Sequence, residues 1–397
     1  MFNIFRILNL PIKRIIMKNI FIAITITFLT HLLHAQNTDT LRIQSAAFKS
    51  ERTVYVRKPA DYKYAGADVR FPVMYILDGQ HDWFVKPMLQ LIESLQQTKE
   101  VPQMLIVIIP LEDRINECNV DSLNMPEAPL HTLITKEIPN ILQAYRAGKY
   151  HAVVGHSFSA SFALYSAIKT PEFYDAVFAH SPMDALQILV NELSNQAKSN
   201  LSKIYYSVGS PDQSKDAYHY AAYQKALATN PTFFENVHVY VANFSAHNAV
   251  PIVAMPSFLS ECFTPFHNRF KDVAAVDMNY KMVDKPMKPE DDIKKLISLA
   301  KLGNMNYPPE ISDYNGIASR YLNSEYYEHA LAVYLQAMQD YPNYYEFPAY
   351  AAELSKSQKP DSAKLFIQKA IELLNTFEKD LPEREEILVE LNAILEN

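Results

Sequence analysis

Lys149-Tyr150-His151-Ala152-Val153-Val154-Gly155-His156-Ser157-Phe158-Ser159-Ala160 is the stretch whose reading decides the fold. A short apolar β-type run ends at Gly155, and a pattern of small and apolar residues with helical spacing begins just after Ser157. Strand, tight turn and helix in that order lift a serine hydroxyl out of the backbone on a strained turn, where it is free to act as a nucleophile. Such a turn requires little bulk two residues to either side of the serine. Gly155 meets that requirement and Ser159 stays small.

Working outward, the same alternation repeats. Leu41–Phe48 and Thr53–Lys58 read as an antiparallel pair around the polar turn Lys49-Ser50-Glu51. Phe71–Leu77 and Gln103–Ile109 are nearly unbroken apolar runs, as expected for strands covered on both faces. Helical spacing covers Trp83–Gln97 and about 130–147. Further strands follow at Asp175–His180, Lys203–Val208 and Glu235–Val241, separated by helical segments at 182–196, 216–229 and 249–269. Strands alternating with helices of this length predict an α/β class protein with a doubly wound, mainly parallel sheet, whose chemistry gathers at the carboxyl ends of the strands.

The organisation expected is residues 1–35 as a signal peptide, 36–272 as the α/β domain, 273–310 as linker and connecting helix, and 311–397 as a small all-α domain. The first 35 residues carry Arg6, Lys13, Arg14 and Lys18 and no acid. An apolar run from Ile20 to Leu33 ends at Leu33-His34-Ala35, which suits cleavage near Ala35 and export, either periplasmic or secreted; an uncleaved anchor is the alternative. In the tail, Tyr314, Ala318, Tyr321, Ala330, Tyr334 and Ala337 are answered 33 residues later by Phe347, Ala351, Leu354, Ala363, Ile367 and Ala370, the period of tetratricopeptide helix pairs. Such repeats would offer a surface to a peptide or protein partner.

Composition narrows the function classes. An apolar fraction of 49% with 20% charged residues fits a packed globular chain and argues against disorder. The formal charge of −7 becomes −11 once the four basic residues before Ala35 leave, so no basic stripe remains for nucleic acid. Cys118 and Cys262 are the two thiols, too few for a metal site of thiolates, and their spacing leaves pairing undecided. No metal and no cofactor are expected.

A serine hydroxyl needs a base within hydrogen-bond reach. His247, in the polar loop Asn243–Asn248 after the last strand, is the candidate; His238 lies inside a β run, and His180 at another strand end reads as structural. The orienting acid should follow an earlier strand. Asp212 in Gly209-Ser210-Pro211-Asp212-Gln213 is the first choice, Asp216 the second and Asp184 the third, with a serine–histidine dyad also open. Backbone amides for an oxyanion hole are expected at Phe158 and at Gln80 or Gly79.

These segments resemble the serine esterase family of α/β-hydrolases that contains esterase D and the enterochelin-esterase-like hydrolases. The resemblance rests on Val-Tyr-Val-Arg-Lys-Pro (54–59), Tyr-Ile-Leu-Asp-Gly (75–79), Glu-Asp-Arg (112–114), Glu-Ile-Pro (137–139), Gly-His-Ser-Phe (155–158), His-Ser-Pro (180–182) and Ala-His-Asn-Ala-Val-Pro (246–251). They are collinear over about 40–265. The resemblance implies ester hydrolysis through an acyl-enzyme on Ser157 with His247 as base and the amides of Gln80 and Phe158 as oxyanion hole. Ser159 stands where that family usually has glycine, which would narrow or slow the elbow, and no firm motif marks the acid. Acylated sugars, aromatic acyl esters and siderophore lactones all fit. A hydrolase fold that has lost activity and serves as a scaffold, or one that transfers acyl groups to alcohols, would carry the same segments.

Overall fold

The computed structural model describes residues 38–120, 127–183, 185–196, 202–210 and 216–396. The expected signal segment and two of the candidate acids, Asp184 and Asp212, lie outside them.

Eight strands form one sheet: β1 (Thr38–Ser45), β2 (Ser50–Arg57), β3 (Phe71–Ile76), β4 (Leu105–Ile108), β5 (Ala147–His156), β6 (Ala176–His180), β7 (Lys203–Gly209) and β8 (His238–Ala242), in the order β1-β2-β4-β3-β5-β6-β7-β8. β1 pairs antiparallel with β2 and β2 with β4; every other pairing is parallel. The first turn falls earlier than the sequence pattern suggests. Ser45 pairs with Ser50 and Lys49 takes a φ of 56°, so the reversal uses residues 46–49 and Ser50-Glu51 already belong to β2. The helical run before β5 likewise stops at Tyr145 instead of Ala147, because Arg146 adopts a left-handed φ of 57° and sends its guanidinium to the carbonyls of Tyr62 and Gly66 at 2.7 and 2.9 Å.

Strand alternation splits the interior in two. Phe71, Val73 and Tyr75 of β3 enter one core; Met74 and Ile76 enter the other. Helices Asp82–Gln97 and Val250–Cys262 cover the second core through Phe84, Met88 and Ile92 and through Met255, Phe258 and Leu259. Helices Phe158–Lys169 and Leu186–Asn195 cover the first. Cys118 lies in the first core and Cys262 in the second, both as buried free thiols, with the sheet between them.

The first two helices after residue 310 are part of the same interior. Tyr314, Ile317, Tyr321, Val333 and Tyr341, on helices Ile311–Asn323 and Tyr327–Asp340 and just beyond, pack into the first core together with strand residues. A buried ion pair joins Arg269 to Asp313 at 2.6 Å, and the backbone carbonyl of Asp340 accepts the Gly66 amide at 2.7 Å. Helices Glu346–Ser355, Pro360–Phe377 and Arg384–Glu396 enclose a third cluster of their own. The stretch 273–310 contributes helix Pro289–Leu299 and buries Leu296, Leu302 and Met305. No helix among the described residues is long and apolar enough to cross a membrane.

Candidate active site

β5 delivers Ser157 to the carboxyl edge of the sheet. Its backbone sits at φ 60° and ψ −117°, a conformation that side chains avoid unless the surroundings enforce it. The enforcement is visible. The Ser157 amide donates to the carbonyl of His180 at 2.9 Å, and a Cβ on Gly155 would collide with the carbonyl of Ser159, so the turn closes only around a glycine. The amide of Phe158 opens helix Phe158–Lys169, where no intrahelical acceptor exists, and it has no hydrogen-bond partner among the described residues.

His247 begins the short helical turn His247–Ala249 after β8, half-buried. Its Nδ1 lies 2.7 Å from Oδ1 of Asp216, which is fully buried. The other carboxylate oxygen of Asp216 accepts the amide of Gly209 and the Ser181 hydroxyl, the latter at 3.2 Å. A carboxylate with three donors facing it acts as acceptor, so the proton between it and the ring resides on Nδ1. That leaves Nε2 able to receive a proton, the tautomer a general base needs. Gly209 matters here through its missing side chain: a Cβ would overlap the Asp216 carboxylate.

Of the candidate acids, the described residues place Asp216 against the imidazole. Asp212 lies in the undescribed segment 211–215, whereas Asp216, the second choice, holds the imidazole. Asp216 immediately precedes helix Ala217–Thr229, and that position brings its carboxylate to His247.

Serine and histidine share neighbours on both flanks. The His156 ring packs 4.3 Å from that of His247, and its Nε2 lies 3.1 Å from the His247 carbonyl. On the other flank the His219 ring stacks on His247 at 4.2 Å, and His219 Nδ1 lies 3.3 Å from the carbonyl of Pro182, next to Met183. The Ser157 hydroxyl is turned toward the Met183 sulfur at 3.6 Å and makes no hydrogen bond to His247 in this state. Such contacts are commonly loose without substrate. Burial, reinforced by the neighbouring His247 and His180, pushes His156 well below the usual histidine range, so it stays neutral and donates to the His247 carbonyl.

Residues 45–248 match the model of the family described as "Putative esterase". The chain belongs to this esterase family. No curated protein matches the esterase by sequence. Among solved structures, an uncharacterised protein from Capnocytophaga ochracea aligns at 15% identity with a TM-score of 0.53, covering 90% of this chain and 99% of that one. The enterobactin esterase from Shigella flexneri aligns at 19% identity and a TM-score of 0.48 over 59% of this chain and 61% of that one. An IroE-like serine hydrolase from Shewanella oneidensis aligns at 15% identity and a TM-score of 0.47 over 90% and 99%. The fold is that of the α/β-hydrolases with a helical C-terminal region, and the family assigns hydrolase chemistry to it.

Two expectations about the esterase's oxyanion donors separate at this point. Gly79 is excluded, because its amide already donates to the Ile109 carbonyl at 2.9 Å. Gln80's amide has no partner among the described residues, while its side chain is anchored by the Leu111 amide at 2.8 Å. His180 is buried with Nδ1 at 2.8 Å from Ser207, and burial pushes it down to about 3. His238 starts β8, stacked on Tyr205 at 4.5 Å. Neither competes with His247.

Asp216, His219 and His247 offer donor atoms within 4.8 Å of one another, a spacing that invites a metal reading. The two rings lie nearly parallel, 14° apart, so their in-plane lone pairs run side by side instead of converging on one ion. Both Asp216 oxygens are already engaged. Sequence reasoning overlooked the roles of His156 and His219, and also the polar group behind the elbow: Asp78, Arg114 and Ser159. Ser159 and the segments holding Asp78 and Arg114 stand out in the sequence, but nothing in a single sequence shows that they meet, since their contacts join residues far apart in the chain.

Proposed function

We propose that the protein hydrolyses carboxylic esters through an acyl-enzyme on Ser157, with His247 as general base and acid and Asp216 as the group that orients it. The observation that carries this reading is the Asp216–His247 hydrogen bond of 2.7 Å beside a serine held at positive φ. Ser157 Oγ leaves the Met183 sulfur for the imidazole, gives its proton to Nε2 and bonds to the acyl carbon. The carbonyl oxygen becomes an oxyanion facing the amides of Phe158 and Gln80. Collapse breaks the bond to the alcohol oxygen, which takes the proton from His247. A water then repeats the sequence, losing its proton to Nε2, and releases the acid. The basic, apolar segment before Ala35 supports an exported location for this activity.

A fluorophosphonate probe tests the reading. Wild type labels at Ser157 and hydrolyses a panel of simple esters; Ser157→Ala does neither, with kcat down on the order of a millionfold. Folded wild type that neither labels nor turns over any ester would leave an esterase fold without serine chemistry.

A further inference from the structure

Behind the elbow lies a polar cluster that a serine nucleophile does not itself require. Asp78, 1% exposed, ends the segment after β3 at a φ of 60°, which an aspartate tolerates at some cost. Its carboxylate receives Arg114 twice, from Nε at 2.6 Å and Nη2 at 3.0 Å, and the Gln80 amide nitrogen Nε2 at 3.3 Å. Its fourth donor is Ser159 Oγ at 2.6 Å. Having one proton, that hydroxyl gives it to Asp78 and uses its lone pairs to accept the His156 amide at 2.8 Å. The His156 carbonyl in turn accepts Arg114 Nη2 at 2.8 Å. Both polar ends of the residue preceding Ser157 are thus clamped by a cluster whose centre is two residues before Gln80.

We propose that Ser159 is a positioning residue: together with Asp78 and Arg114 it braces the elbow against the 78–80 loop and fixes the distance between the Phe158 and Gln80 amides. The proposal rests on the acyl-enzyme reading above and assigns to the serine two positions beyond the nucleophile a role that a glycine there cannot fill. Replacing it by glycine or alanine removes the His156 amide's acceptor and one of the donors to a buried carboxylate. The two amides then lose their common reference. Oxyanion stabilisation depends on donors fixed before the charge develops, so the loss falls on the chemical step and not on ground-state binding.

Three variants, Ser159→Ala, Ser159→Gly and Asp78→Asn, and the Ser159→Ala/Asp78→Asn double variant are measured with a p-nitrophenyl ester and with a trifluoromethyl ketone analogue of the tetrahedral intermediate. The expected result for Ser159→Ala and Ser159→Gly is a kcat reduced about 10- to 100-fold, less than the hundred- to thousandfold typical of deleting a donor outright. KM stays within about threefold, and analogue affinity falls in step with kcat/KM. The double variant loses less than the product of the two singles, because both remove one linkage. Wild-type kcat in both Ser159 variants, or a loss confined to KM, overturns the brace. So does a double variant equal to the product of the singles. If Asp78→Asn fails to fold, the two Ser159 variants and their analogue affinities decide alone. Failure of wild type to label with fluorophosphonate defeats the acyl-enzyme reading itself, a result separable from any of these.

Discussion

Two buried aspartates flank the elbow, and they differ in what neutralises them. Asp78, after β3, faces the guanidinium of Arg114; Asp216, after β7, faces the imidazole of His247. Each also receives a serine hydroxyl, Ser159 in one case and Ser181 in the other. An arginine is cationic at every pH the protein meets, so the Asp78 side holds a constant charge balance and serves as a fixed frame. In the proposed mechanism the His247 imidazole takes a proton from Ser157 and returns it, so the Asp216 side would change charge as the reaction proceeds. On that reading the same carboxylate chemistry gives a brace on one flank and a proton-transfer partner on the other.

The largest effect that could break this comparison is on turnover. Asp216→Asn should lower kcat by about 10³- to 10⁴-fold, since the wrong tautomer of His247 is then favoured. Asp212→Asn should remain within about twofold of wild type in the same ester assay. Equal losses in the two variants would return the acid to the undescribed loop and dissolve the symmetry between the flanks.

Stability provides the next test. Arg114→Met leaves Asp78 buried without its cation and should cost about 3–5 kcal/mol in urea unfolding, the usual penalty for breaking a buried pair from one side. His247→Gln keeps a side-chain amide able to donate to Asp216 and should cost less, about 1 kcal/mol, the net worth of one hydrogen bond. Comparable losses would mean that both pairs are structural.

The smallest net effect expected is in acid, where two sets of buried groups act in opposite senses. Burial pushes His180 down to about 3 and His151 to about 4. Their contribution is complete above pH 6.5, where the unfolded ring is neutral too, and drains as pH falls toward 4 because only the unfolded state takes up the proton. The slope is about 1.4 kcal/mol per pH unit for each ring. Asp61 and Asp175, raised to about 6 by burial, act in the opposite sense: folded, they keep protons that the unfolded chain has lost between about 4 and 6. His180→Asn separates the two, and its melting-temperature profile between pH 6 and 4 should be flatter than that of wild type. Parallel profiles would show that His180 takes up a proton without unfolding.

The elbow was legible because it is local: strand, glycine, serine and helix are contiguous from Val153 to Ala160. His247 was legible because only one histidine follows the last strand within its loop. The acid was not legible, since turn-forming aspartates at 212 and 216 look alike in sequence; the described residues put the Asp216 carboxylate beside Gly209 and His247. Ser159 looked like a tolerated departure from glycine for a similar reason. Its partner, Asp78, lies 81 residues earlier in the chain.

By itself the sequence determined the alternation of strands and helices, the tight turn at Ser157 and the segments shared with the esterase family, because periodicity and backbone sterics act over a few neighbouring residues. The tertiary structure alone decided which aspartate meets Arg114 and which His247, that Gly79's amide is spent on Ile109, and that helices Ile311–Asn323 and Tyr327–Asp340 share a core with the sheet. Those outcomes depend on which strand ends become neighbours. Parallel strands separated by whole helices bring distant residues within 3 Å of one another, and no local pattern records that distance.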